Sequence, residues 1–312
     1  MNKKYFSLFA SIIIYIILFN NGFLYAQNIN PMSLKDFNLK GPVEHCILSA
    51  DYGNEEFYFD KDGSLYRMIT RYGENDYTIT IYSLSGENII QKNIEVYNNG
   101  KLDKSVSLAH AYEIRINSKG TSITERIVNF KSEQLDTYQY DYNTDKRLIK
   151  IIRNNKKGIE ETNIHYELED DLVKREIYLS GADTVKVIKR LEPKIPHGKG
   201  AYEKLEIFYN NSIPDVANLK FIDSIGKVKF EETLTAGNKN PYRFYSKNKK
   251  TFIYNEYGDV VEEKSFNKKV LMSKVVYEYE YEANKDPEIP LNWLRKTDKY
   301  AKNTITREIV YY

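Results

Sequence analysis

Asp60-Lys61-Asp62-Gly63 has the residue types that come closest in this chain to a metal-binding loop. Calcium takes several oxygen ligands from one short loop, and Glu55 and Glu56 precede this stretch closely. An EF-hand loop also needs a bidentate acid near its end, which is missing at that spacing here. A hairpin turn explains Asp60 and Gly63 without a metal. We therefore predict that both are turn residues, and we expect no cofactor.

Histidine and cysteine residues offer no arrangement typical of a metal site or a catalytic thiol. The histidines are far apart in the chain and lack the close spacing of zinc ligands. They are His45, His110, His165 and His197. Cys46 is the only cysteine, and its neighbour His45 would point to the opposite face of a strand. We therefore predict that Cys46 is a small buried residue rather than a nucleophile.

Acidic residues form four adjacent pairs, which is relevant because glycoside hydrolysis uses two carboxyl groups. The pairs are Glu55-Glu56, Glu160-Glu161, Asp170-Asp171 and Glu262-Glu263. Neighbouring residues of a strand face opposite sides of a sheet, so none of these pairs forms a catalytic dyad by itself. We predict a non-enzymatic protein. An enzyme that acts on glycans, with carboxylates from separate strands, is the alternative.

Three residues are weak candidates for ligand binding. His197 and Lys199 belong to His197-Gly198-Lys199-Gly200, which lacks the longer glycine-rich frame of a phosphate-binding loop. Trp293 is the only tryptophan, and it is either a strand anchor or a ring that stacks on a sugar. Together with the Asp60 turn, the stretch around His197 keeps a metal- or small-molecule-binding module as a further alternative.

The elements that must position these residues are β-strands. In Tyr77–Tyr82 and Val275–Tyr281, apolar or aromatic residues alternate with polar ones, which is the period of a strand with one covered face. The chain contains 28 tyrosines, whose rings suit half-exposed sheet faces. No sustained helical period occurs after the first 26 residues, and the best short helical candidate is Pro214–Leu219.

A recurrent turn separates the strands. An aromatic or apolar residue is followed by Asp, Asn or Ser, then usually two free positions and Gly, and often a further aliphatic residue. The side chain of Asp or Asn accepts a backbone hydrogen bond, and Gly closes a type I turn with a bulge. The stretch Tyr142–Leu148 has the same form but lacks the Gly. The turn residues predicted in this way are Asp60, Gly63, Gly86, Asn98, Gly100, Asn117, Gly120, Asp223, Gly226, Asn255 and Gly258.

These units resemble divergent YD repeats, the Tyr-Asp hairpin repeats of RHS and teneurin-like proteins, and the small exported YD-like proteins common in Bacteroidetes. The resemblance covers residues 55–312, with a weaker patch between Leu191 and Leu219. It implies an all-β fold, an antiparallel β-hairpin repeat that forms an extended, twisted meander sheet, open or partly closed on itself. Full RHS proteins wrap many more copies into a closed shell around a toxin, whereas this chain has about seven copies and no toxin segment.

The first 26 residues have the form of a secretory signal peptide. Lys3 and Lys4 precede the apolar run Tyr5–Phe19, and Ala26 offers a small residue before the cut. We therefore expect export to the periplasm, the outer surface or the medium. Residues 1–26 contain two Lys and no acid, so the remaining chain has 44 Lys and Arg and 44 Asp and Glu. This balance gives no reason to expect a nucleic acid or an anionic membrane as partner.

Four segments follow from these patterns: a signal peptide over 1–26, an N-terminal hairpin region over 27–190, a proline-containing loop or junction over 191–219, and a C-terminal hairpin region over 220–312 that continues the sheet. Three prolines in the third segment argue against a central strand there. They are Pro193, Pro196 and Pro214.

We expect the exported protein to bind another macromolecule, a protein or a glycan, at the envelope or outside the cell. Repeat sheets offer broad faces and edges for such binding. The aromatic end Ile309–Tyr312 is also typical of outer-membrane barrels. Because Lys and Glu recur on both faces of most strands, we predict a protein that is not embedded in a membrane after removal of the signal peptide.

Overall fold

The computed structural model of the protein describes residues 31–51, 53–170, 172–193, 200–283 and 291–312. Within these ranges the chain is almost entirely β-structure, with one short 3-10 helix at Leu34–Phe37. The strands are β1 Val43–Ala50, β2 Gly53–Phe59, β3 Leu65–Arg71, β4 Tyr77–Ser85, β5 Asn88–Asn98, β6 Lys101–Leu102, β7 Leu108–Asn117, β8 Gly120–Asn129, β9 Gln134–Tyr142, β10 Leu148–Asn155, β11 Gly158–Glu169, β12 Leu172–Ser180, β13 Asp183–Leu191, β14 Tyr202–Asn210, β15 Ile213–Ile222, β16 Val228–Ala236, β17 Phe244–Tyr254, β18 Val260–Asn267, β19 Val270–Tyr281, β20 Trp293–Asp298 and β21 Thr304–Tyr311.

The strands form one sheet that closes on itself. Each strand pairs antiparallel with the next, except that the two-residue β6 pairs only with β5, and β5 pairs onward with β7. The ring closes between the first and last strands, where Cys46 lies opposite Ile309 and Leu48 opposite Arg307. Apart from β6, the described strands therefore make a 20-stranded barrel. The predicted all-β antiparallel meander of hairpins is confirmed, and its closure is complete.

Antiparallel order places the turns alternately at two ends. We call the end that holds the start of β1 and the finish of β21 the terminal end, and the opposite end the distal end. Backbone hydrogen bonds join Tyr312 to Pro42 at the terminal end. The turns after even-numbered strands β2 and β4 lie at the terminal end, and the turn between β1 and β2 lies at the distal end. Both ends of the sheet are therefore lined by hairpin tips.

A five-residue turn recurs around the ring and has the geometry of a type I turn with a bulge. Its first N–H donates to the carbonyl four residues on, and its first carbonyl accepts from the N–H three residues on. The fourth residue has positive φ, and the register of the flanking strands shifts by one residue. These turns begin at Asp60, Asn129, Asn143, Asp223 and Asn255.

The prediction of a loop through 191–219 is wrong for most of its length. Strands β14 and β15 occupy Tyr202–Asn210 and Ile213–Ile222, and both pair fully with their neighbours. Pro214 is accommodated because it lies beside the distal turn, opposite Tyr209, where the register shifts. The predicted helix at Pro214–Leu219 is likewise part of β15. Residues 1–26, His197 and Lys199 lie outside the described residues.

The inward face of the barrel can be identified from the segment before β1. Leu34 bonds to Gly63 in the turn between β2 and β3, and Asn38 bonds to Asp259 in the turn between β17 and β18. Six strands separate these turns, about 29 Å of wall, whereas four residues reach about 14 Å at most. The segment therefore crosses the lumen. Its Phe37 packs on Phe57, so the row of Phe57 faces inward.

Apolar side chains on the inward face form two clusters along the wall. The first is centred on Phe57, Phe59 and Leu65 and draws on β1 to β5 together with the segment before β1. The second is centred on Tyr140 and Ile151 and draws on β8 to β12. The outward rows of many strands carry charged pairs, while Val187, Ile207, Ala217 and Phe221 are buried on the outward row of β13 to β15.

Candidate functional site

The segment 33–40, here called the N-terminal plug, fills part of the lumen at the terminal end. Its helix begins with a capping box in which Ser33 and Asp36 bond reciprocally, and it ends at Asn38 in the left-handed conformation. Leu34, Phe37 and Leu39 project into the first apolar cluster. The caps at Ser33 and Asn38 bound a single helical turn, and its apolar side chains pack into the cluster. These residues therefore turn inward instead of extending β1.

Polar residues of β21, of the turn before β18 and of the segment before β20 hold the N-terminal plug in place. The Arg307 guanidinium donates to the Phe37 carbonyl at 2.7 Å. The Asn292 side chain is 2% exposed, accepts from the Lys40 N–H at 2.9 Å and donates to the Lys40 carbonyl at 2.8 Å. The Asn38 amide donates to the Asp259 carboxylate. Residues of the turn before β18, of the segment before β20 and of β21 thus fix a segment that precedes β1.

A cavity of about 430 Å³ lies between the N-terminal plug and the wall, and we call it the mouth cavity. The plug supplies one side, and the turns 223–227 and 255–259 supply the rim. Inward side chains of β17, β19 and β20 form the wall. These wall residues are Tyr254, Tyr279, Trp293 and Lys296. The mouth cavity therefore combines aromatic rings with both signs of charge.

Lys296 is one of three lysines that line the mouth cavity, with Lys35 and Lys227, and its ammonium lies against the aromatic wall. Its ammonium lies 3.9 Å from the Tyr277 ring centroid and 5.9 Å from that of Tyr279. No carboxylate of the described residues forms an ion pair with it within 4.0 Å. Burial lowers the pKa of Lys296, while the more distant charges of Glu263 and Asp259 raise it in part. A half-buried ammonium without a close counter-ion would be stabilised by an anionic group of a bound ligand.

The acids of the mouth cavity are already bonded. Asp259 is 5% exposed and accepts from the Tyr281 hydroxyl at 2.9 Å as well as from Asn38. Asp36 accepts from the Ser33 N–H at 2.7 Å as part of the capping box. Their lone pairs therefore hold the N-terminal plug and the tyrosine wall. Within the described residues, no ion pair within 4.0 Å joins a carboxylate to the cavity lysines Lys35, Lys227 and Lys296.

Trp293 lines the mouth cavity as part of its wall. The side chain is 7% exposed, the Arg307 guanidinium lies 3.7 Å from its ring centroid, and Tyr279 meets it edge-on at 6.0 Å. The ring is therefore packed between Arg307 and Tyr279 on the inward face. Because it is the only tryptophan, its fluorescence reports on the cavity alone.

The predicted turn residues line both ends of the barrel. The three glycine-closed turns that begin at Asp60, Asp223 and Asn255 all lie at the terminal end, where Gly226 and Gly258 line the mouth cavity. Gly86, Asn117 and Gly120 belong to tight turns at the same end. Asn98 and Gly100 form a tight turn at the distal end. Among these residues, the structure brings only Gly226 and Gly258 into the mouth cavity.

A second polar cluster lies deeper on the inward face. The fully buried Glu125 carboxylate bonds to His110 Nδ1 at 2.7 Å, to the Tyr112 hydroxyl at 3.0 Å and to the Tyr140 hydroxyl at 3.2 Å. Burial lowers the pKa of the neighbouring Lys92, and the charge of Glu125 raises it in part. His45, by contrast, faces outward and stacks on Tyr58, so it does not approach Cys46 on the inward face.

Sequence reasoning did not identify Lys296, Arg307 or the N-terminal plug. The alternation in Val275–Tyr281 places Tyr277, Tyr279 and Tyr281 on one face and could have indicated an aromatic wall. No pattern in the sequence predicts that residues 33–40 cross the lumen to that wall.

Metal ligands and membrane-spanning helices are not seen in the described parts of the chain. There, no group of three or more His, Cys, Asp or Glu side chains could hold a metal ion. No helix in these ranges has the length and apolar character needed to cross a bilayer.

Comparisons with known proteins give only remote likenesses. No protein-family model and no curated protein sequence matches the chain, so the resemblance to YD repeats has no support from a family model. A porin-like protein from Bacteroides uniformis is 7% identical over 87% of this chain and 99% of its own, with a TM-score of 0.34. A porin-like protein from Bacteroides vulgatus is 12% identical over 86% and 98%, with a TM-score of 0.22. At such TM-scores, the barrel is established by its strand pairing alone.

Proposed function

We propose that this chain is an exported, non-enzymatic binding protein that holds an acidic segment of a glycan partner in the mouth cavity. The observation that carries the proposal is the Lys296 ammonium, which lies half-buried among aromatic rings without a close counter-ion. Aromatic side chains with polar tips suit the faces and hydroxyls of sugars, and a carboxylated sugar would supply the missing negative charge.

The outward face supports a barrel surrounded by water. A lipid-embedded barrel needs an outward band free of charge. Here the outward rows carry ion pairs, such as Arg71–Glu56 at 2.6 Å and Lys150–Glu161 at 2.9 Å. With the leader-like residues 1–26, this favours a protein of the envelope or the extracellular space over one that forms a pore through a bilayer.

The second candidate is an enzyme that acts on glycans, because two carboxylates, Asp36 and Asp259, line the mouth cavity. Each carboxylate is held by hydrogen bonds that fix the N-terminal plug or the wall. A general acid or base needs freedom to exchange a proton with the substrate. We therefore favour binding over catalysis.

The proposal is tested by titrating the exported protein with uronic-acid oligosaccharides and their neutral counterparts while Trp293 fluorescence is recorded. We expect saturable binding of the acidic sugars, and at least tenfold weaker binding by Lys296→Gln, because one charge-assisted contact is lost. Lys250→Gln is the matched control, since Lys250 is paired with Glu263 at 2.9 Å and does not line the cavity.

Three results would count against this function. If Lys296→Gln and the unchanged protein bound the acidic sugars with equal affinity, Lys296 would not contact the ligand. Binding of acidic peptides but not of sugars would replace the glycan by a protein partner. Release of sugar products that is abolished by Asp259→Asn would favour the enzyme.

A further inference from the structure

Three neighbouring hairpin tips at the distal end share an unusual composition. Each tip comprises a turn and the strand residues beside it: 237–247 where β16 leads to β17, 267–274 where β18 leads to β19, and 298–303 where β20 leads to β21. Hydrogen bonds from Lys268 to the Lys247 carbonyl and from Lys299 to the Val276 carbonyl tie the tips to adjacent strands. We call this arc the basic rim.

The basic rim carries a local excess of positive charge that is not apparent from the net charge of the chain. Its three tips contain eight Lys and Arg, all exposed, and the single acid Asp298. The basic residues are Lys239, Arg243, Lys247, Lys268, Lys269, Lys274, Lys299 and Lys302. Within the described parts of the chain, two of them form ion pairs, Lys274 with Glu262 and Lys299 with Glu278. Distal turns elsewhere carry acids, including Asp51, Glu74, Asp76 and Asp183.

Apolar side chains stand among these charges. Val270, Leu271 and Met272 are consecutive and 63%, 50% and 66% exposed. Successive residues of a strand point to opposite faces, so this tip is apolar on both sides. Tyr242 and Tyr300 on the flanking tips are 73% and 65% exposed. Apolar side chains on both faces of a tip suit insertion into an apolar layer better than packing on one side against a protein.

Three lysines of the basic rim have backbone conformations that lower the stability of the fold. Lys268 and Lys269 have φ values of 45° and 75°, and Lys302 has a φ of 61°. These are left-handed conformations that Gly and Asn adopt far more readily than Lys. A tight hairpin turn with two such residues is usually Asn-Gly. Strain of this kind persists where another requirement selects the side chains.

We propose that the basic rim docks the distal end of the barrel on an anionic lipid surface, with the 270–272 tip entering the interface. Lysines attract negative headgroups, and exposed aromatic and aliphatic side chains settle at the boundary with the acyl chains. Acids elsewhere balance the lysines of the basic rim, so the net charge after residue 26 is zero. The overall charge of the sequence therefore does not predict a basic surface. A soluble polyanion would use the lysines but gain nothing from Val270–Met272.

The experiment measures sedimentation of the exported full chain with vesicles of phosphatidylcholine alone or mixed with phosphatidylglycerol. We expect binding to the anionic vesicles only, weakened by added salt. Lys268→Asn with Lys269→Gly should weaken binding about 30-fold through loss of two lysines near the surface. The same variant should unfold at higher temperature, because the turn is relieved of strain. Leu271→Ser with Met272→Ser should also weaken binding.

Lys156 and Lys157 provide the matched control. They form a two-residue turn at the same end of the barrel, exposed and outside the basic rim. Lys156→Glu with Lys157→Glu should leave vesicle binding unchanged, whereas Lys268→Glu with Lys269→Glu should abolish it. Equal losses in both charge reversals, equal binding to neutral vesicles, or binding to dextran sulfate without any binding to vesicles would overturn the proposal.

Discussion

Glu125 is a carboxylate enclosed in the barrel wall, and its partners explain how it is tolerated. His110 and the hydroxyls of Tyr112 and Tyr140 bond to it, and its charge opposes the effect of burial on Lys92. A buried charge is stable only when it is paired and bonded in this way. The cluster joins β5, β7, β8 and β9 through side chains as well as through the sheet.

Removal of this carboxylate should be strongly destabilising. Glu125→Ala removes the acceptor shared by His110, Tyr112 and Tyr140 and the charge that offsets the burial of Lys92, and we expect a loss of about 3–5 kcal/mol in the free energy of unfolding. Glu125→Gln keeps the shape and should lose about 1–3 kcal/mol. Urea unfolding with an unchanged m-value measures both. Glu113→Gln is the control, because the Glu113 side chain is 43% exposed, and an equal effect there would contradict the role of burial.

Cys46 should be protected from alkylation while the barrel is folded. Burial raises the pKa of Cys46 to about 11, although the charge of Arg307 lowers it in part. The thiolate is the reactive form, so at pH 8 the shift alone should slow reaction about 200-fold relative to an unperturbed thiol. Iodoacetamide labelling with and without urea measures the ratio. Rapid labelling of the folded protein would show that the thiol is accessible.

The recurrent five-residue turn is the element on which the sheet depends at both ends. At Asp223, the carboxylate accepts from the N–H groups of Ile225 and Lys227, and at Asn143 the amide oxygen accepts from Arg147. The left-handed position is Gly226 in the first turn and Lys146 in the second, with φ values of 82° and 60°. The second turn therefore keeps its form without the Gly that favours it.

Exchanging Gly and a larger residue at this position should shift stability in both directions. Lys146→Gly should raise the free energy of unfolding by about 1 kcal/mol, because a residue without Cβ adopts positive φ freely. Gly226→Ala should lower it by a similar amount, since nothing lies within 4 Å of the added Cβ and only the backbone conformation is affected. Thermal melts of both variants provide the measurement. Changes of the same sign would contradict this account of the turn.

Sequence patterns predicted the strands and these turns because both depend on neighbouring residues. Alternation in Tyr77–Tyr82 and the Asp60 turn are examples in which period and turn chemistry suffice. The strand through Pro214 was missed because one register shift beside a turn accommodates the proline. The turn at Asn129 was missed because Ser132 occupies the position where Gly was expected.

At the scale of the whole molecule, the mouth cavity depends on contacts that no local pattern encodes. Asn38 meets Asp259 and Lys40 meets Asn292 only because β1 pairs with β21. Trp293 was identified as a weak binding candidate from its rarity, whereas Lys296 is one of many lysines and becomes distinctive only through its surroundings. His197 and Lys199 stay predictions, because they lie beyond the described ranges.

The tyrosine-lined barrel should unfold cooperatively in alkali. Burial, as the largest cause, raises the pKa of Tyr82, Tyr166 and Tyr311 to about 12, and it raises the pKa of many other tyrosines. An unfolded tyrosine has a pKa of about 10. A raised folded pKa means stability that is complete below about pH 10 and is lost as the pH rises towards 12.

Circular dichroism and tyrosinate absorbance, recorded together against pH, provide the test. We expect both signals to change in one step between about pH 10 and 12. Gradual ionisation with intact circular dichroism up to pH 12 would show that the buried hydroxyls do not control the stability of the barrel in alkali.

Closure by antiparallel neighbours also limits how such a chain can change in length. Going once around the ring, strand direction must reverse at every step and still match where β21 meets β1. Only an even number of strands keeps every pairing antiparallel, so the gain or loss of a single strand would replace the antiparallel seam by a parallel one. Insertions and deletions that preserve an all-antiparallel barrel must therefore come as whole hairpins, and the circumference of such a lumen varies in steps of two strands.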